Sequence, residues 1–286
     1  MKKCSLTLLF TIFLFALFSG CGDSKNHNSG EGHATRSYDT TDSAGIRSIA
    51  LDISVKTAHR YYNVIERGDS CSLSLSVAVD WPEKVGDYNI LRLQQAILSE
   101  ISGEKTAASV TEAISGFIGD TERFGIGDSI SRVDKAPPVS PFAYEVSTDV
   151  KFMALEGDLI TYNVTNYSYL GGAHGLNIRT PFSFDLSQGR IVDMKWLFTG
   201  DYEKVLTPLL EDGVADKADM SVQMLRKSML VPAFVIASNV YIQGGFIVFH
   251  YNPYEILPYS YGSIDVSVSP YLIREILTPQ AQQALL

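Results

Sequence analysis

The sequence predicts an α+β fold, with antiparallel, hairpin-rich sheet or sheets and helices packed on one side. Three observations carry this. Strand-like runs come in adjacent pairs joined by turn signals, at Glu156-Gly157-Asp158, at residues 171–175 and at Gln243-Gly244-Gly245. Segments of helical period fall in blocks between groups of strands, which argues against the strict alternation of a doubly wound α/β fold. The folded part keeps one cysteine, Cys71, so the fold is held by its core and not by internal disulfides.

At the start, Lys2 and Lys3 precede an apolar run over residues 6–18, followed by Ser19-Gly20-Cys21. The run is too short to span a bilayer, and its basic flank and small residues make residues 1–20 a signal peptide. The small pair before Cys21 resembles the bacterial lipobox, with Phe18 where an aliphatic residue is usual. It implies lipidation of Cys21, hence a membrane-anchored lipoprotein of the cell envelope at the outer membrane. Residues 21–45 are Gly, Ser, Asn, Asp and Thr with no apolar period, the composition of a flexible tether. His27 and His33 lie in it without further ligands spaced around them.

The 23 basic residues lose Lys2 and Lys3 with the leader, leaving 21 against 32 acidic ones. That balance disfavours nucleic acid and favours a basic protein as electrostatic partner. The rest, about 240 residues, can bury one large core or two modest ones.

Residues 46–143 read as an N-terminal α+β region. Ile49, Leu51, Ile53 and Val55 alternate with polar residues as a first strand, and residues 71–79 alternate without a break as a second, with Cys71 on its buried face as packing. Trp81-Pro82-Glu83 is expected to end it, since proline removes a ladder donor. Ile90, Leu93, Ile97 and Ile101 recur at helical spacing before Gly103. Ser109-Val110-Thr111-Glu112 is a capping-box pattern that starts a second helix over 110–118. Residues 119–141 read as an irregular connector.

Residues 144–286 form the C-terminal region. Tyr144, Val146, Val150 and Phe152 share a parity, and strands over 159–170 and 176–186 flank the glycine stretch. Tyr202, Val205, Leu206, Leu209 and Leu210 form a helical stripe over 201–211, which Pro208 is expected to kink or to divide. Residues 221–230 are helical, 234–242, 246–251 and 264–268 are strands, and a short helix covers 271–277.

The stretch Tyr167-Ser168-Tyr169-Leu170-Gly171-Gly172-Ala173-His174-Gly175, with Phe184-Asp185-Leu186, Gly189 and Leu197-Phe198 after it, resembles the start of the extracytoplasmic module of RsiV-type anti-sigma factors and PdaC-type peptidoglycan deacetylases. Phe246 to Tyr259, with Gly262 and the strand after it, is similar to that module's closing motif. The resemblance covers about residues 144–277 and implies a compact α+β module without catalytic apparatus; in the anti-sigma members it implies recognition of lysozyme. This sequence shows neither a sigma-binding segment nor a deacetylase domain.

No HExxH, GxSxG or paired-cysteine spacing occurs, so no catalytic residue, metal or cofactor is assigned. The expected function is non-enzymatic: a binding module for lysozyme, another basic protein or a peptidoglycan-derived cell-wall glycan. His174, Gly172, Tyr254, Glu255 and Tyr259 are the candidate ligand-binding residues. His174 is expected as a turn histidine bonded to neighbouring backbone, and Tyr254 and Tyr259, between Pro253 and Pro258, as plugs at the sheet's open end. His250 reads as a satisfied core histidine, and His59 has no constellation around it. The alternatives are an envelope hydrolase using His174 with Asp185, or a structural partner in an envelope complex.

Overall fold

The computed structural model describes residues 31–33, 38–42, 45–103, 106–135 and 143–286, with side chains from residue 49 onward. The leader and Cys21 lie outside the described residues, as does most of the stretch read as a tether. Within that stretch, short strands β1 (Glu31–His33) and β2 (Tyr38–Asp42) are present, and β3 (Gly45–Ile49) pairs with β2.

The alternating residues after Ala50 do form strands, longer than the sequence suggests. β4 (Leu51–Glu66) and β5 (Asp69–Val85) make one hairpin closed by Arg67 and Gly68, both at positive φ. Pro82 does not end β5. It sits where the register with β4 shifts, between Asp52 and Ile53, and a bulge is a place where a missing N–H is tolerated. The parallel ladder on the other side of β5 has already stopped at Val79.

Helices α1 (Leu91–Ser102) and α2 (Val110–Gly119) follow. The Ser109 cap forms, the Glu112 N–H donating to Ser109 Oγ at 3.2 Å, while the Glu112 carboxylate reaches one residue further back than in a full capping box, accepting from the Ala108 N–H at 2.9 Å. The stretch read as a connector holds a 3-10 turn at Glu122–Phe124 and β6 (Ser129–Val133), which pairs with β4. Then come β7 (Ala143–Glu156), β8 (Leu159–Tyr169), β9 (Leu176–Asp185) and the short β10 (Arg190–Ile191).

These strands share one sheet in the order β1-β4-β5-β7-β8-β9-β10, with β6 beside β4. β5 and β7 run parallel, because the chain between them crosses through α1 and α2; the other pairings are antiparallel. The strands on either side of position 143 therefore belong to one sheet. One core packs α1 and α2 against the inner face of this sheet, with Leu73, Leu75, Val79, Leu93, Ile97 and Tyr162 inside it.

A second core lies beyond Leu186. Helix α3 (Met194–Leu197) and α4 (Tyr202–Lys217) lead to α5 (Val222–Ser228), then to β11 (Asn239–Gln243), β12 (Phe246–Tyr251) and β13 (Ile264–Val268), which form a three-stranded antiparallel sheet. A 3-10 segment, Pro270–Ile276, and α6 (Pro279–Leu285) end the chain. Helix α4 runs through Pro208 without a break. Pro208 and Lys204 are both exposed, so water can satisfy the Lys204 carbonyl that loses its partner. Gly213 on α4 lets the helix approach β13: a Cβ there would stand 2.4 Å from the Val266 side chain. The fold is thus mixed, mostly antiparallel, with helices packed beside the sheets. No helix among the described residues is long and apolar enough to cross a membrane.

The two units are fastened by side-chain hydrogen bonds from β8, β9 and the loop after β12. Ser183 Oγ accepts the Ile242 N–H at 2.8 Å, and Thr161 donates to the Ile242 carbonyl. The Asn252 side chain accepts the Arg179 N–H at 2.7 Å and donates to the Arg179 carbonyl at 2.8 Å, standing in for a neighbouring strand's peptide group. The turn of the β11–β12 hairpin is held too, Glu156 accepting from the N–H groups of Gly244 and Gly245 at 2.8 Å each.

Candidate functional site

The β8–β9 turn and the loop after β12 meet at one corner of the large sheet, and this brings four of the five candidate residues together. Gly171 and Gly172 adopt positive φ, 90° and 97°, which L side chains resist. Gly175 is fixed by space: a Cβ would stand 2.5 Å from the Tyr167 ring. The Tyr169 hydroxyl closes the turn by donating to the Gly172 carbonyl at 3.1 Å. His174 is thereby presented to solvent, with Nδ1 3.0 Å from the Gly175 carbonyl, as a turn histidine should be.

From the other loop, Tyr259 stacks on His174 with ring centroids 3.8 Å apart and planes 13° from parallel, and donates its hydroxyl to the Gly175 carbonyl at 3.0 Å. Tyr254 packs against Tyr259 at 5.7 Å and brings its hydroxyl to 3.5 Å from His174 Nε2. It does not plug the sheet: 49% of its surface is exposed and its φ is +72°, a strained value for a large residue. Tyr251 takes the plugging role, buried with its hydroxyl donating to Val235 and accepting from Ala237; burial pushes that hydroxyl's pKa up. Glu255 is exposed, and its carboxylate accepts from the Asn252 N–H at 3.0 Å, pinning the loop that carries Tyr254. Tyr261 and Tyr271 are exposed as well.

Asp185 does not join His174. Asp185 ends β9 and His174 precedes its first residue, so the strand sets them about 30 Å apart at strand rise. The Asp185 carboxylate is also fully engaged. It accepts from the Ser187 N–H and hydroxyl, the Gln188 N–H, the Trp196 indole and the Gln280 amide, at 2.6–3.1 Å, and is 3% exposed. The pair proposed for a hydrolase is therefore not assembled. Among the described residues no cluster of three His, Cys, Asp or Glu side chains could hold a metal.

His59 does have neighbours. Its Nε2 lies 3.0 Å from Ser74 Oγ, Tyr61 packs on its ring, and Glu145 lies close enough to act on its charge. Burial lowers the His59 pKa and Glu145 opposes the shift. Pairs across adjacent strands are invisible without the register, which is why the sequence gives no sign of it. On a flat sheet face the surrounding backbone N–H groups are spent in ladders, so this Ser-His-Glu grouping lacks an oxyanion hole. His250, buried with 0% exposure, bonds Asp265 and Asn252 as a core histidine should.

Fold and site together define a two-core α+β protein with a cluster of stacked aromatic rings at one corner of its large sheet. Residues 195–270, which carry most of the second core, match the family model described as "Protein of unknown function (DUF3298)". A crystal structure of a DUF3298 family member from Bacteroides fragilis NCTC 9343 is similar at a TM-score of 0.59 and 22% identity, covering 82% of this chain and 96% of that one. Another, of a DUF3298 family protein from Pseudomonas aeruginosa PAO1, is similar at 0.54 and 14% identity, covering 80% and 96%. Both likenesses speak to the fold. No curated protein matches this chain.

Proposed function

We propose that this is a non-enzymatic binding protein of the bacterial cell envelope, anchored through lipid on Cys21, whose module of the RsiV/PdaC type holds a partner at the His174–Tyr259–Tyr254 cluster. The observation that carries the proposal is the stacking of exposed His174 and Tyr254 around the half-buried Tyr259, from two loops about 80 residues apart in sequence. Exposed, pre-stacked rings offer contact area at small entropic cost, and tyrosines of this kind dominate binding energy at interfaces. Glu255 beside them and the acidic chain favour a basic protein such as lysozyme.

The test measures the affinity of the full chain for lysozyme and, separately, for muropeptides, at two salt concentrations. The expected result is lysozyme binding that weakens with salt and falls about thirtyfold in Tyr259→Ala, the factor for a ~2 kcal/mol hot spot. Salt-insensitive muropeptide binding lost in the same variant would move the partner to the cell wall. Binding to neither, or binding to both that Tyr259→Ala leaves untouched, would leave only the structural role in an envelope complex.

A further inference from the structure

Away from the aromatic corner, a cavity of about 160 Å³ opens between the end of α1, the segment before α2 and one face of α2. Three features of its wall are not accounted for by the fold. The Ser102 hydroxyl at the end of α1 is shielded from water yet meets no hydrogen-bonding partner among the described residues, and a buried polar group left so calls for one. Gly116 stands inside α2 without a positive φ, where glycine costs stability, and a Cβ there would meet nothing within 4 Å, so no contact within the protein requires it. The Arg123 guanidinium lies over the Phe117 ring at 4.1 Å and the Phe124 ring at 4.5 Å, and donates to the Phe117 carbonyl at 3.2 Å. These contacts fix it at the cavity, while its other N–H groups have no partner among the described residues.

The charges in the wall set the class of ligand. Glu112 lends one carboxylate oxygen to the Ala108 N–H, and the other accepts nothing among the described residues. Asp120, at the end of α2, is close enough to act on the Arg123 charge. One cation against two carboxylates disfavours a simple anion, and a simple cation would leave the guanidinium unanswered. A molecule carrying both charges answers the whole set. Glu112 and the Phe117 ring under Arg123 are five positions apart on α2, about 7.5 Å along its axis. Two charge-assisted hydrogen bonds of about 2.8 Å take up most of that length, so the ligand's ammonium and carboxylate must stand close together, as they do across the α-carbon of an amino acid. Ile101, Ala107, Ala113 and Phe117 offer apolar wall for its side chain.

We infer that this cavity binds a free α-amino acid with an apolar side chain: its carboxylate on Arg123, its ammonium on Glu112, the Ser102 hydroxyl bonded to one of the two, and the space beside Gly116 filled by the ligand. The site belongs to the first core, apart from the residues that match the family model and from the aromatic corner, so it stands whether or not the binding reading above holds.

The test titrates the full chain by calorimetry with L-valine and, in separate runs, with acetate and with methylamine. One L-valine per chain is expected, with acetate and methylamine each at least about tenfold weaker, since each answers only one of the two charges. Gly116→Leu puts a good helix former where there is room for it, so the variant should unfold at no lower a temperature than wild type and yet lose L-valine binding. Ser102→Ala removes a hydroxyl that bonds nothing in the free protein; its stability should hold while L-valine binds about tenfold more weakly. No binding of L-valine, binding that survives Gly116→Leu, acetate binding as tightly as L-valine, or a Ser102→Ala variant that loses stability with its binding unchanged would overturn the inference.

Discussion

Replacing Asp185 with alanine removes the acceptor around which the end of β9, α3 and α6 are assembled. One carboxylate oxygen organises the turn after the strand, taking the Ser187 and Gln188 N–H groups, and the other takes the Trp196 indole and the Gln280 amide. Trp196 is 2% exposed, so its N–H would have no water to turn to. A buried donor left unpaired costs about 1–3 kcal/mol, and loss of the turn bonds adds roughly 1 kcal/mol. The sum is about 3 kcal/mol, which for a chain of this size lowers Tm by roughly 6–12 °C. Asp185→Asn keeps one acceptor but turns an amide N–H₂ toward a donor, so it should lose a smaller but measurable part. Thermal and denaturant unfolding at neutral pH read both variants, with His174→Ala, exposed and outside both cores, expected to stay near wild type. Wild-type stability in Asp185→Ala would refute the reading of Asp185 as a structural hub and reopen it as a functional carboxylate.

Gly175→Ala places a methyl group 2.5 Å from the Tyr167 ring, and the overpacking should cost about 1–3 kcal/mol in denaturant unfolding while loosening the His174–Tyr259 stack; no loss would mean that the turn is plastic. Acid unfolding should draw on two carboxyls. Burial alone would push Asp265 up, but its bonds to His250 and Arg179 outweigh this and hold it below its ordinary value. Glu211 is held down by the paired bond from Arg226 despite its burial. Since both folded-state values lie below the unfolded ones, their stabilisation is full above the ordinary carboxyl range near pH 4 and is lost as pH falls through the depressed values. A urea-midpoint series from pH 7 to 2 should therefore drop steeply below about pH 4, less so in Arg226→Met; a flat acid limb would sink both assignments.

How much of this was legible follows from the range of each interaction. Local signals read well: the cap at Ser109, the two-glycine turn after Gln243, the alternation over β5 and the helical stripe of α1 depend on residues a few places apart. The errors came where a distant element overrode a local rule. Pro82 looks terminal until the bulge and the end of the β7 ladder are known, and Pro208 looks disruptive until its solvent-facing position is known. β6 has little pattern of its own, and its strand exists because the edge of β4 is available to it.

The candidate site shows the same division. Gly171, Gly172, His174, Tyr254 and Tyr259 could be picked out as unusual, yet nothing local says that residue 174 stacks on residue 259. That contact depends on the junction between the two cores, where Asn252 completes the β9 edge and His250 lies beneath it. Asp185 is tempting as an orienting carboxylate for His174 because both belong to the same sequence motif. The strand between them holds them apart, and the bonds that fill the Asp185 carboxylate come from residues 187 to 280. A buried polar group with five partners is a junction in the fold, whereas an exposed ring stacked by two loops remains free on one side. That difference in what is left unsatisfied is what supports proposing the aromatic corner, and not the acidic hub, as the surface for a partner.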